Sequence, residues 1–297
     1  MAEQLVTAHG RTSGREYVLT PLERHVVAVE LHGLAEDALW RTRIAGLLPG
    51  LPRNVADIWH FGFTEMVNNA IDHSEGQHLR VTVETTAATT SMTITDDGVG
   101  IFRKIQTELG LEDERHAVLE LAKGKLTTDA KRHTGEGIFF ASRVFDDYAI
   151  VSGGVVFSHD RGRNEDWILE RENPERGTLV YMSIGNTSTR TTREIFDKYA
   201  TGRNDYAFTR TVVPVRLAKQ GQEQLVSRSQ AKRLLARIER FKVVVLDFDG
   251  VDTIGQAFAD EVFRVFPSEH PTVKLVPTNA TREVKRMIRR AHGAEPR

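Results

Sequence analysis

The chain contains no cysteine, so disulfides and cysteine-ligated zinc sites are excluded, and a cytoplasmic setting is the expectation. No apolar run approaches the ~20 residues that span a bilayer. No N-terminal stretch joins a basic start, an apolar run and a small-residue cleavage site. Neither sign of charge is in excess: 40 Lys and Arg stand against 41 Asp and Glu, a net charge of −1. No global field therefore attracts nucleic acid. Bases do outnumber acids from Arg203 to Lys242 and again over Arg282–Arg290, and solvated faces account for such runs. Internal repeats and low-complexity segments are absent. What remains is 297 residues with 40% hydrophobic and 27% charged content, the profile of a soluble globular protein of about two domains.

Residues 2–8 read as a short helical piece, and GRTSGREYVL (10–19) as a turn and short strand. Together, residues 1–40 form an N-terminal arm, with a truncated winged-helix remnant as one form of it. Residues 22–48 are helical in pattern. Pro52 suits the first turn of the next helix, which runs from about Val55 to His73. LRVTVE (79–84) and SMTIT (91–95) alternate and read as neighbouring strands. Residues 101–137 are a long, polar, partly helical insertion, followed by a helix over 137–145. YAIVSGG, VVFSHD, DWILE and GTLVYMSI read as further antiparallel strands. The polar passage 186–205 puts a domain boundary near 190. Beyond it, strands and helices alternate around KVVVLDF, whose unbroken apolar run suits a buried central strand.

Three stretches carry chemistry. In FTEMVNNAIDHS (63–74), Phe63, Met66, Val67 and Ala70 make an apolar helical stripe. The opposite face holds Glu65, Asn68, Asn69, Asp72 and His73, without the Lys or Arg partners that solvated acids usually take. Glu65 and Asn69 are one turn apart and project together; a carboxylate and an amide oxygen so placed can hold a hydrated Mg²⁺ and orient a water. In TITDDGVGIF (93–102), Asp96 ends a strand, where a carboxylate can accept from an exocyclic amine such as that of adenine. Gly98 and Gly100 follow and allow close backbone approach. In KGKLTTDAKRHTGEGIFF (123–140), Gly135 and Gly137 stand directly before a helix, whose free N–H groups suit phosphate. No GK[ST] ends this turn, so it is not a Walker A loop.

The order of these stretches resembles the Bergerat-fold (GHKL) ATP-binding domain, the superfamily of type II topoisomerase subunits, MutL, histidine kinases and anti-sigma serine kinases. The spacing of Glu65, Asn69, Ala70 and His73 looks most like the anti-sigma kinase form, and Gly177-Thr178 is similar to a late Gly-Thr of this fold. The resemblance implies an α+β protein: a Bergerat α/β sandwich with a mixed sheet and helices on one face, over residues 41–187, and a small α/β domain over 188–297. It implies ATP and Mg²⁺ as ligands. Glu65 would be the general base or water-orienting carboxylate, and Asn69 the Mg²⁺ ligand. Asp96 would bind the adenine amino group, with Gly98 and Gly100 lining the base pocket and Thr178 supporting Asp96. Thr134, Gly135 and Gly137 would cradle phosphates, with Lys125 or Arg132 meeting the γ-phosphate. Asp97 and Glu136 are departures, each adding an acid near the phosphates.

The C-terminal stretch VVVLDFDGVDTIGQAFADEVFRVF resembles the STAS-like anti-sigma-factor antagonists. Where those carry a phosphorylatable Ser at the helix start, this chain has Gly255-Gln256-Ala257, and Gln cannot accept a phosphoryl ester. The joint resemblance implies an ATP-binding, ATP-hydrolysing bacterial regulatory protein whose nucleotide orders a lid and controls an as yet unnamed protein partner. A serine/threonine kinase acting on a separate protein is the first alternative, and a nucleotide-sensing DNA-binding regulator the second. Dimers are common in the superfamily, which leaves a homodimer open. A sensor histidine kinase is disfavoured because His25 lacks the sequence context of a phosphoacceptor.

Overall fold

The computed structural model describes residues 5–9, 15–48, 50–126, 135–163, 165–200, 207–219 and 223–293. The chain divides into two compact units: Met1–Glu108 with Phe140–Glu194, and Leu109–Phe139 with Ile195–Arg297. The sequence places 109–139 within the ATP-binding domain, whereas in the structure these residues cluster with the C-terminal part of the chain.

The first unit opens with a hairpin of β1 (Val6–His9) and β2 (Glu16–Leu19). Val6–His9 is thus a strand where a helical piece is expected; residues 1–4, and 10–14 of the wing-like stretch, lie outside the described residues. The main sheet joins β3 (Glu23–Glu30), β4 (His78–Thr85), β5 (Thr89–Asp96), β6 (Asp147–Asp160) and β7 (Glu165–Gly185) in the order β3-β4-β5-β7-β6. Its ladders are antiparallel throughout rather than mixed. β3 corrects the helical reading of 22–48. Its Val26, Val27 and Val29 are β-branched, and Val27 pairs with Val81 of β4; long-range pairing overrides a local i,i+4 pattern. Helix begins only at α1 (Glu36–Leu39), which runs on in π and 3₁₀ turns to Leu47. The four strands expected between 148 and 184 are two long ones, with a bulge at Gly153 where the β6–β7 register shifts.

Helix α2 (Arg53–His73) supplies the core of this unit. Val55, Ile58, Trp59, Phe63 and Val67 are fully buried, together with Val81, Val83, Met92, Ile94, Met182 and Ile184 of the sheet. Burying each such side chain contributes roughly 1.5–3 kcal/mol. Gly62 leaves room for an aromatic ring, since a Cβ there would stand 2.7 Å from Phe145 Cζ. This one-sided burial fixes the rotation of α2, so its Glu65–Asn69 side cannot turn inward. α3 (Ile101–Leu109) and α5 (Gly137–Val144) follow the two glycine-containing turns.

The second unit holds a parallel sheet of β8 (Arg210–Pro214), β9 (Val243–Asp247) and β10 (Lys274–Thr278), in the order β10-β9-β8. Between and after these strands come α7 (Arg228–Leu235), α8 (Gln256–Asp260), α9 (Phe266–Glu269) and α10 (Arg282–Ala291). α6 (Thr192–Lys198) leads into the unit. Ser227 and Gln230 close a capping box on α7, and Thr281 caps α10. α7 ends at Leu235, where Ala236 turns to ψ 131° and Arg237 takes a left-handed conformation, φ 61°. The unit also contains α4 (Glu114–Lys123), from the middle of the sequence, whose Ala117–Lys123 are all buried.

Candidate functional site

Asp96 is the last residue of β5 and only 7% exposed. Its Oδ1 accepts from the Gly98 backbone N–H at 2.9 Å. On the neighbouring strand Thr178 stands directly opposite. Its hydroxyl accepts from the Ile101 N–H at 3.0 Å, at the start of α3. Burial pushes the Asp96 carboxyl above its usual range, against the hydrogen bonds from Gly98 and Thr178 that pull it down. The fold thus holds a carboxylate where its charge is costly.

The turn after Asp96 is built on close contacts. Val99 N donates to the Ser74 carbonyl at 2.8 Å, which joins the turn to the end of α2. A Cβ at Gly98 would overlap that same carbonyl oxygen. Gly177, at φ +86°, is equally constrained, because a Cβ there would overlap the Asp96 carbonyl. Gly100 lies beside Ser152, whose Oγ donates to the Gly177 carbonyl at 3.0 Å. Ser74, Ser152 and Gly177 are parts of the site that spacing alone does not mark. Each acts through backbone contacts between segments far apart in sequence.

Asp97, one of the two departures, is turned to a structural task. Its Oδ1 accepts from Gln77 N at 2.7 Å and His78 N at 3.0 Å, and its Oδ2 lies 2.7 Å from His78 Nδ1. The His78 N–H first, and the His78 ring after it, hold this carboxyl well below the usual range. Glu136, the other departure, is pushed up by burial, with Lys125 acting against that.

Glu65 and Asn69 are both half-buried on α2. Gly135 and Gly137 precede and open α5, and the Gly135 carbonyl accepts from Leu126 N at 3.0 Å. Lys125 Nζ lies 5.0 Å above the Phe241 ring and donates to the Arg240 carbonyl at 3.3 Å, within the second unit. Arg132 and Thr134 lie outside the described residues. Among the described residues no cluster of three or more His, Cys, Asp or Glu is placed to hold a metal ion. The oxygen donors Glu65 and Asn69 suit the other mode, in which Mg²⁺ keeps waters and takes most ligands from phosphates.

A second polar centre in this unit escapes sequence reading. Arg143 of α5 donates to both carboxylate oxygens of Asp166 at 2.6 and 2.9 Å, and His159 Nδ1 lies 2.8 Å from Asp166 Oδ1. The three are 6%, 4% and 3% exposed for Arg143, His159 and Asp166. They tie α5 to the β6–β7 hairpin. Burial, and then Arg143, push the His159 ring below its usual value. Burial opposes ionisation of Asp166, but Arg143 and His159 outweigh it and hold the carboxyl well below the ordinary range.

A five-stranded antiparallel sheet backed by helices, with a buried strand-end carboxylate in a D-x-G-x-G turn and an acid/amide helix beside it, is the arrangement of a Bergerat-like fold. Comparison with known families agrees. Residues 25–157 match the histidine kinase-like ATPase domain, and residues 230–285 match a STAS-like domain of unknown function. The chain therefore carries a histidine kinase-like ATPase domain followed by a STAS-like domain. No curated protein matches it. The ATPase match starts at 25 and so takes in β3, part of the stretch that sequence assigns to an N-terminal arm. No helix among the described residues is long and apolar enough to cross a membrane.

Proposed function

We propose that this chain is a cytoplasmic regulatory protein that binds and hydrolyses Mg-ATP and uses the nucleotide state to govern a protein partner. The observation that carries the reading is Asp96. A carboxylate only 7% exposed at the end of β5, held by the Gly98 N–H, is costly to bury, and adenine's amino group is the donor that the family resemblance implies. Glu65 would orient the attacking water, Asn69 would hold Mg²⁺, and the Gly135–Gly137 turn would receive phosphate oxygens. Mg²⁺ when bound neutralises charge on those oxygens; the remaining work is positioning.

A direct test is calorimetric titration with Mg-ATP of the parent and of Asp96→Asn. Asn keeps an oxygen for the Gly98 N–H but no longer offers an acceptor-only group to adenine. We expect affinity to fall at least about tenfold, the scale of a hydrogen bond to a charged group. Thermal stability should hold or rise, because a buried charge is removed. A parent protein that binds no ATP overturns the reading, and unchanged affinity in Asp96→Asn removes Asp96 from it.

The kinase alternative differs only in the acceptor. Gln256, exposed at the start of α8, offers no phosphoacceptor in the STAS-like domain. Transfer of labelled γ-phosphate to a separate protein, in place of phosphate release, would favour it.

A further inference from the structure

Helix α10 turns its apolar residues into the second unit and leaves a nearly pure cationic face outside. Val284, Ile288 and Ala291 are buried, and the helix packs on α8. Arg282, Lys285, Arg286, Arg289 and Arg290 are all exposed. With 3.6 residues per turn they fall within an arc of about 140°, opposite the buried stripe. Glu283 is the one acid of the helix, and it is paired with Arg286. The side chains of Arg282, Lys285, Arg289 and Arg290 make no ion pair or hydrogen bond among the described residues. Asp260, on the neighbouring α8, is taken by Arg264 at 2.7 Å.

A solvated helix face interleaves acids with bases one turn apart. α10 does the reverse. Arg282 and Arg286, Lys285 and Arg289, and Arg286 and Arg290 are like charges at i,i+4, a spacing that destabilises a helix. The helix dipole favours Arg289 and Arg290 at the C-terminal end but disfavours Arg282 in the first turn. Glu283 offsets only one member of the series. A polyanion laid along the arc would remove the repulsion as a whole.

We propose that this face of α10 is a docking surface for the phosphate backbone of duplex nucleic acid. The proposal is independent of the nucleotide reading. From Arg282 to Arg290 the helix advances about 12 Å. Duplex DNA presents one charge per ~1.7 Å of its axis, so several phosphates can meet the arc at once. Four of the five cations are arginines, whose planar fork matches phosphate geometry. A lipid surface fits less well, because the buried apolar residues of α10 leave none to enter a bilayer interface. A protein partner also fits less well: stable protein interfaces have an apolar core, and the exposed residues of this arc are all charged. No aromatic residue stands in α10 to stack an unpaired base, which favours a duplex over a single strand. Backbone contacts position a protein without reading sequence, so binding is indifferent to base order. The whole chain carries a net charge of −1, so attraction comes from the local arc and falls steeply with salt.

Fluorescence anisotropy of a labelled, random-sequence DNA duplex with the full chain tests this between about 50 and 200 mM salt. The parent should bind at the low end, with a slope of log affinity on log salt of about −3.6, the value for about four phosphate contacts. The deciding variant is Arg282→Glu/Lys285→Glu. An acid in the first turn suits the dipole, and each new acid stands four residues before an arginine. The melting temperature should therefore hold or rise. Duplex affinity should nonetheless fall at least about tenfold, and the slope should shrink by about two. A merely structural role for these cations would move both readouts together. Arg41→Glu/Arg163→Glu makes the same change of net charge at exposed positions of the first unit and should bind as the parent does. A parent that binds no duplex at about 50 mM salt overturns the proposal. Equal loss in the two variants also overturns it, since net charge would then be the cause. Binding to phosphatidylserine vesicles or to polyglutamate, without binding to duplex, overturns it in favour of a membrane or an acidic protein.

Discussion

A Glu65→Gln variant is expected to bind Mg-ATP as the parent does and to release phosphate about 10²–10⁴-fold more slowly, the range for loss of a general base. The substitution is nearly isosteric and leaves helix propensity unchanged. Its backbone position is secure, because the opposite side of α2 is pinned by Trp59, Phe63 and Val67, all fully buried. Only the ability to accept a proton is removed. Asn69 remains one turn away to hold its Mg²⁺ position. Steady-state phosphate release, paired with calorimetric binding, checks the expectation. A parent-like rate sinks the assignment of Glu65 as base; lost binding would make it a ligand-holding group instead.

The second large effect concerns stability. Asp166→Leu leaves the Arg143 guanidinium buried beside His159 without its carboxylate, and loss of one partner of a buried pair costs about 3–5 kcal/mol. For a unit of this size the melting temperature should fall by about 10 °C. A shift within about 2 °C would show that the cluster is solvated and does not hold α5 to the β6–β7 hairpin.

The same cluster sets an acid dependence. Both His159 and Asp166 have folded values below their usual ones. The unfolded chain therefore takes up protons first, at about pH 6.5 for His and about pH 3.9 for Asp. Stability is whole above about pH 6.5, declines as pH falls through the histidine range, and declines further below about pH 4. Denaturant midpoints from pH 8 to pH 3 should trace both steps in the parent. Asp166→Leu should show a smaller lower step, what remains coming from other depressed carboxyls such as Asp97. Since α5 follows the Gly135–Gly137 turn, nucleotide affinity should weaken together with stability in that variant.

Much of the site is legible in the sequence because its chemistry is local. Glu65 and Asn69 share a helix face by their spacing, and Asp96 precedes its glycines within one turn. The late Gly177-Thr178 is recognisable only through the family pattern; its meaning comes from β5 and β7 pairing, which sets Thr178 against Asp96. The residues missed have the opposite character. Ser74 contributes a carbonyl, and Ser152 a hydroxyl to another strand's backbone. Arg143, His159 and Asp166 are scattered over 24 positions that only the β6–β7 hairpin and α5 gather. Lys125, near the glycine turn in sequence, stands over the Phe241 ring, a contact that only the fold makes.

By itself, then, the sequence determined the two classes of domain and the polar face of α2, because period, glycine turns and side-chain chemistry are properties of short segments. It misread residues 23–30 as helical, since a strand of mixed polarity gains its stability from a partner more than fifty residues away. Tertiary structure alone decided what α4 packs against. Its sequence position lies inside the ATPase pattern, but the cost of burying Lys123 is met only by the carbonyls at the end of α7. That compensation requires α7 to stop at Leu235, a backbone event that no feature of residues 114–123 encodes.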